Sequence, residues 1–222
     1  MDFDLLGLGV YSPSEVGRYT GTSTSKVMRW LAGYNANGRS YDPLWVSDIG
    51  EVDGNYFFSF RDLMEVKAVK NFLEAGVSPQ VVRRAIIEAR SAINESHPLS
   101  SKNFRTDGHT IFLEIATDEK DQKFLDLFKK QYAFKQIIEQ SLKDVDYDQH
   151  TPSRWWISSR QNGIVIDPER SFGQPIDDET GIPIDVLVNA AKSSDDLQEV
   201  AISWDVNLKT LERAIMFNKQ FH

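Results

Sequence analysis

The sequence predicts a mainly α-helical chain with small β elements, an α+β protein, on three observations. Apolar residues recur at three- and four-residue spacing between 13 and 93 and again between 183 and 220. Serine-proline pairs, Ser12-Pro13 and Ser78-Pro79, stand where helical stripes begin. Short β-rich runs surround Asp53-Gly54 and Asp107-Gly108, both strong turn signals.

The elements follow in order. Ser12-Pro13-Ser14-Glu15 supplies an N-cap, a proline at the first helical position and a glutamate that can return a bond to the cap. That predicts a first helix ending near Thr20-Gly21, because glycine readily takes the left-handed closing conformation. Ser23 is the next N-cap. Val27, Trp30, Leu31 and Tyr34 form the inward stripe of a second helix that Gly33 ends. The runs LWVS and YFFSF flank IGEVDGN and predict a hairpin, or wing. From Arg61 a third helix carries Leu63, Val66, Val69, Phe72 and Leu73 to Gly76, and a fourth runs from Ser78-Pro79 towards Pro98.

FRTDGHTIFLEIAT reads as two strands about an Asp-Gly turn, followed by a helix from about Asp121 to Leu142. After WWISSRQNG the chain is Pro- and Gly-punctuated and extended, and then forms three short helices near 183–192, 195–202 and 207–220. The expected organisation is a helical head over 1–98, a mixed strand and helix connection over 99–160, and a small helical tail over 161–222.

Composition narrows the function. The 222 residues include no cysteine, which excludes disulfides, thiolate metal sites and cysteine nucleophiles. The start, MDFDLLGLGVYS, has no basic n-region, and no uncharged apolar stretch reaches the roughly 18 residues that span a bilayer. A soluble cytoplasmic protein is the expectation. Net charge is −8, which argues against nucleic acid until its distribution is considered. Residues 12–40 hold Arg18, Lys26, Arg29 and Arg39 against Glu15 alone, whereas 160–222 hold 6 basic and 11 acidic residues.

Catalytic and metal signals are weak. His97, His109, His150 and His222 are scattered, and His109 and Glu114 point to opposite faces of a predicted strand. Asp144, Asp146 and Asp148 alternate like the start of a calcium loop, but the glycine and terminal glutamate of that loop are missing, so a solvated acidic stretch is expected. No catalytic residue, metal site or cofactor is assigned, and the chain is not expected to be an enzyme. Trp155-Trp156 is either an interface anchor or, by preference, a staple between segments.

The strongest chemical signal lies in residues 12–33. With Val27, Trp30 and Leu31 inward, Thr24, Ser25, Lys26 and Arg29 face outward on the second helix, where they suit phosphates and base edges in a major groove. A packed helical corner is the plainer alternative. YSPSEVGRYTGTSTSKVMRWLAG resembles the start of MerR-type winged helix-turn-helix domains, and YFFSFRDLMEVKAVKNFLEAGVSPQVVRRAI resembles the wing and two following helices of that module. The resemblance implies that Arg18 and Tyr19 lie near the DNA backbone, that the turn from Lys26 to Arg29 enters the groove, and that Arg61 lies at the wing. MerR regulators often sense metals through cysteines. This chain has none, so metal sensing does not carry over.

The tail is similar to a small bacterial domain common in antitoxin-like proteins, through Asp167-Pro168, Phe172-Gly173-Gln174-Pro175 and Thr180-Gly181-Ile182-Pro183 ahead of a helical pair. Head and tail together resemble VapB-like antitoxins, whose partners are PIN-domain ribonuclease toxins. That resemblance implies double-stranded operator DNA, a cognate toxin and a homodimer as partners. A ligand-responsive MerR-like regulator without a toxin, and an interaction adaptor that never meets DNA, are the alternatives. For the tail by itself, self-association competes with toxin binding.

Overall fold

The computed structural model describes residues 6–104, 108, 115 and 131–221. They form an α+β fold of helices with small antiparallel sheets, divided into two compact units. One unit holds Tyr11–Lys143 and Tyr147–Pro152; the other holds the chain up to Val10, Asp144–Asp146 and everything from Ser153 onward.

In the first unit, helix α1 (Pro13–Thr20) begins with the expected capping box: the Ser12 hydroxyl accepts the Glu15 amide while the Glu15 carboxylate accepts the Ser12 amide. It ends at Gly21, whose φ of 67° is left-handed. Helix α2 (Thr24–Leu31) follows. Val27 and Leu31 are buried as expected, but Trp30 is only half-buried, and Tyr34 belongs to a strand. Gly33 ends the helix at positive φ, so the apolar stripe stops one turn early.

Two hairpins separate α2 from the next helix. The first, β1 (Tyr34–Ala36) and β2 (Arg39–Tyr41), turns on Asn37-Gly38; the second, β3 (Gly50–Val52) and β4 (Asn55–Phe57), turns on Asp53-Gly54. All four turn residues have positive φ, the requirement of the two-residue turn that matches strand twist. The hairpin predicted about Asp53-Gly54 is therefore present, with one correction: LWVS is not a strand. Leu44 and Trp45 are core residues, the Leu44 amide donates to the Trp30 carbonyl, and the Trp45 indole N–H donates to Asp62, which takes that segment out of any ladder. Past β4, Phe58 pairs with Tyr11 through two 2.9 Å backbone bonds and ties the wing to the start of α1.

Helix α3 (Phe60–Glu74) has its own capping box from Ser59 and Asp62, and it is buried on almost every side. Helix α4 (Pro79–Ile93) is capped by Ser78 and closed by left-handed Asn94; a turn of 3-10 helix, Pro98–Ser100, follows. Gly108 and Ile115 are helical, so the two-strand reading of this stretch fails at both. A side chain at Gly108 would press on Phe104 and Ile138, so this glycine permits close packing rather than a turn. The remainder of 105–130, including His109, Glu114 and the first half of the predicted long helix, lies outside the described residues. Helix α5 (Gln131–Ser141) is its second half.

Strands β5 (Val145–Asp148) and β6 (Thr151–Trp155), with β7 (Ile164–Ile166) and β8 (Pro175–Asp177), form one antiparallel sheet in that order. The acidic run at 144–148 is therefore largely strand, with Asp148 exposed and Asp144 and Asp146 half-buried. Asp146 accepts the Trp156 indole N–H and pairs with Arg160. In the second unit, helices α6 (Ile184–Lys192), α7 (Leu197–Ser203) and α8 (Leu208–Phe221) lie close to the expected ranges. Leu187, Val188, Val200, Leu211, Ala214 and Phe217 make the core there. Among the described residues no helix is long and apolar enough to cross a membrane.

Candidate nucleic-acid interface

Helix α2 is held by a turn with two interlocked bonds. The Thr22 amide donates to the Gly17 carbonyl and the Gly21 amide to the Arg18 carbonyl, which satisfies the last carbonyls of α1 through a left-handed residue. Gly17 has to be small: a Cβ there would sit 2.6 Å from the Thr22 oxygen. Two residues past Gly21, Ser23 opens α2, and Val16 and Val27 are fully buried beside the turn.

The predicted contact residues divide into groups. Thr24, Ser25, Lys26 and Arg29 are all exposed along α2, with no acidic side chain among them. The Arg29 guanidinium carbon lies 5.4 Å from the Tyr34 ring centroid. Arg39 is exposed on β2. Arg18 is half-buried; its guanidinium lies 4.8 Å from the Tyr19 ring centroid and donates to the Tyr19 hydroxyl. Tyr19 is buried, packed edge-on against Tyr11, so it braces Arg18 from beneath the surface. Arg61 sits in the first turn of α3, beside Asp48 and Glu95, and donates to the Ser96 hydroxyl at 2.7 Å. Its guanidinium is thus engaged by protein acceptors, whereas no hydrogen bond or ion pair of Arg29 or Arg39 is found among the described residues.

A buried polar hub lies under the wing. Asp62 accepts four hydrogen bonds: from the Trp45 indole N–H and His97 Nε2–H on one oxygen, and from the Ser47 hydroxyl and Ser59 amide on the other. Burial alone would push the Asp62 carboxyl up, but the bonds from His97, Ser47 and Ser59 and the nearby imidazole hold it below its usual range. Glu65 accepts the amides of Leu99 and Ser100, and there burial wins and pushes the carboxyl up. Asp48, Asp62 and His97 converge closely enough to suggest a cation site. The Asp62 acceptors are already used by protein donors, however, and Asp48 accepts the Ser59 hydroxyl beside Arg61. The hub fixes the loop before the wing, α3 and the 3-10 turn to one another. Sequence spacing hides it, since 35 residues separate Asp62 from His97.

The same turn occurs a second time. The Val206 amide donates to the Ala201 carbonyl, the Asp205 amide donates to the Ile202 carbonyl, and Asp205 is left-handed at φ 51°. Asn207, two residues past Asp205, accepts the Thr210 amide and caps α8. Ala201 stands four residues before the left-handed residue, as Gly17 does, and Leu211 is buried six residues after it, as Val27 is. No glycine marks this second helix-turn-helix in the sequence. Its arginine, Arg213, donates to the buried Asp177 carboxylate and to Thr210, so it is used internally. Thr180 caps the other Asp177 oxygen, and Arg170 pairs with Asp178; the Thr180-Gly181-Ile182-Pro183 motif is accordingly a turn builder. Trp155 is buried in register with Ile166, and Trp156 is bonded to Asp146.

No family model matches the chain. It is 24% identical over 223 residues to a Mycobacterium tuberculosis protein named "Putative antitoxin VapB45", a similarity that covers 93% of this chain and 92% of that protein. The fold is similar to the crystal structure of Rv2018 from Mycobacterium tuberculosis, with a TM-score of 0.75 and 21% identity, over 97% of this chain and 99% of that one.

Proposed function

We propose that this chain is the antitoxin of a toxin-antitoxin pair. It represses by occupying operator DNA through α1–α2, and it neutralises a PIN-type ribonuclease through its second unit. The observation that carries the DNA half is the set Thr24, Ser25, Lys26 and Arg29, solvent-exposed on a helix that contains no acidic residue and is locked by a two-bond turn. In this reading Lys26 and Arg29 face the groove and Arg18 meets phosphate. The near full-length similarity to a protein named as an antitoxin supports the toxin half.

The second unit offers a surface of the kind a basic protein partner needs. Ile202, Trp204 and Met216 are 82%, 41% and 70% exposed. Asp195, Asp196, Glu199, Asp205 and Glu212 are exposed on the same helices and their turns. Five exposed carboxylates against the exposed Lys209 and Lys219 leave these helices and turns net acidic, and with the apolar anchors they suit an RNA-binding cleft, which is cationic by necessity. A homodimer is expected, because two half-sites multiply the affinity of one small reading helix.

The test has two arms. Mobility shift with the DNA upstream of the gene should show a salt-sensitive complex; no complex at low salt removes the DNA half. Co-purification with the product of the adjacent gene should be lost in Ile202→Asp and retained in Arg29→Ala; the reverse pattern removes the assignment of the second unit.

A further inference from the structure

The β1–β2 hairpin lies outside the wing, and its construction calls for an explanation. A two-stranded hairpin is marginal in water. This one is fastened at several points. Tyr34 and Tyr41 are directly paired across the strands and stack with centroids 4.6 Å apart and planes within 8°. Arg83 on α4 donates to the carbonyls of Asp42 and Pro43, at 2.8 and 3.3 Å. The Leu44 amide donates to the Trp30 carbonyl at 2.7 Å, and a Cβ at Gly33 would come within 2.5 Å of the Tyr41 oxygen. The hairpin is thereby fixed to the last turn of α2.

Its dressing is cationic and aromatic. Arg39 pairs with Ala36 in the register that pairs Tyr34 with Tyr41, so Arg39 shares a face with the tyrosine stack. Both tyrosines are 37% exposed, although stacking covers one side of each. From Val16 to Tyr41 the chain has no acidic residue. The Arg29 guanidinium near the Tyr34 ring is oriented by the π face and keeps its N–H edges for other acceptors.

We propose that this hairpin and α2 form one duplex-contacting unit, in which Tyr34 positions the Arg29 guanidinium and Arg39 takes a backbone phosphate beside the groove that α2 enters. The inference rests on the reading of α2 as the DNA helix. Charge selects the occupant: a fastened hairpin and helix whose own residues carry no acid, with projecting guanidinium groups, complement a polyanion. Tyr34 is a positioning residue, and Arg39 is the phosphate contact.

The experiment is an anisotropy titration of the full chain against the upstream duplex and a scrambled duplex of equal length, at several salt concentrations. Arg39→Ala is expected to weaken both complexes alike, several-fold, and to lower the slope of log K against log salt by about 1. Arg39→Lys should restore the slope. Tyr34→Leu should reduce the preference for the upstream duplex as Arg29→Ala does, the double variant should lose little more than either single one, and Tyr34→Phe should keep wild-type preference. Unchanged affinity and slope in Arg39→Ala, with the wild type binding, overturn the hairpin's role and leave the α2 reading standing. Loss of sedimenting dimer in Arg39→Ala with an unaltered slope also overturns it, and assigns the hairpin to self-association. Failure of the wild type to bind either duplex at low salt overturns the α2 reading and this inference together.

Discussion

The two helix pairs of this chain, α1–α2 and α7–α8, share a backbone plan and differ in what they present. Both turn through a left-handed residue, Gly21 or Asp205, with the same two bonds, and both open the following helix two residues later. Each keeps a small residue four positions earlier, Gly17 or Ala201. The arginine eight positions past the turn residue is Arg29 in one and Arg213 in the other. Arg29 is exposed, whereas Arg213 is consumed by Asp177 and Thr210. The geometry of a helix-turn-helix therefore says little about its partner. The side chains left in solvent differ: cations and hydroxyls without carboxylates on α2, and on α7, α8 and their turns bare apolar groups with carboxylates alongside Lys209 and Lys219.

The supports of the pairs differ as well, which gives the largest expected effect. Asp62→Ala strips acceptors from the Trp45 indole, the Ser59 amide and His97, all buried, and should cost about 3–5 kcal/mol in the first unit. The second unit should melt as before. Because the folded Asp62 pKa lies below its unfolded value of about 3.9, its contribution is complete above that value and is lost as pH falls through the folded value. Thermal melts followed down from pH 5 should show the first unit weakening below about pH 4 in the wild type, and Asp62→Asn should flatten that dependence.

Arg29→Ala should reduce operator preference by about 1–3 kcal/mol, while Arg213→Ala leaves DNA affinity unchanged and lowers only the stability of the second unit. Competition binding with matched and scrambled duplexes separates the two. Equal effects on DNA from both would erase the distinction. For the second unit, Trp204→Ala should weaken toxin binding by about 2 kcal/mol in calorimetry, with DNA affinity untouched.

The turns supply the smallest effect and the closest test of their likeness. Gly21→Ala should destabilise by about 1 kcal/mol because of its positive φ, whereas Asp205→Gly, at the matching position, should be neutral or stabilise by up to about 1 kcal/mol. Denaturant midpoints of the two variants read this directly.

How much was legible follows from how local each signal is. The capping box of α1 and its closing glycine lie within ten residues and can be read straight from the chain. Asn37-Gly38 is as good a turn signal as Asp53-Gly54, but Tyr34 falls three residues after Leu31 and extends the helical stripe on paper, which conceals β1. The β5–β6 hairpin and the second helix-turn-helix turn on Gln149 and Asp205, side chains that tolerate positive φ without announcing it. The Asp62 hub depends on contacts across 17 and 35 residues, which no spacing rule reaches. For the interface, the exposed face of α2 follows from periodicity, whereas the engagement of Arg61 by Asp48 and Glu95 requires coordinates.

The most direct measurement is a salt-dependent titration of upstream duplex with three proteins: wild type, Lys26→Glu with Arg29→Glu, and Lys209→Glu with Lys219→Glu. Both double variants change net charge by the same amount, one on α2 and the other on α8. The α2 variant should lose the complex at every salt concentration, and the α8 variant should keep the wild-type affinity and preference. Equal losses from both, or a loss confined to the α8 variant, would contradict the reading of α2 as the DNA helix.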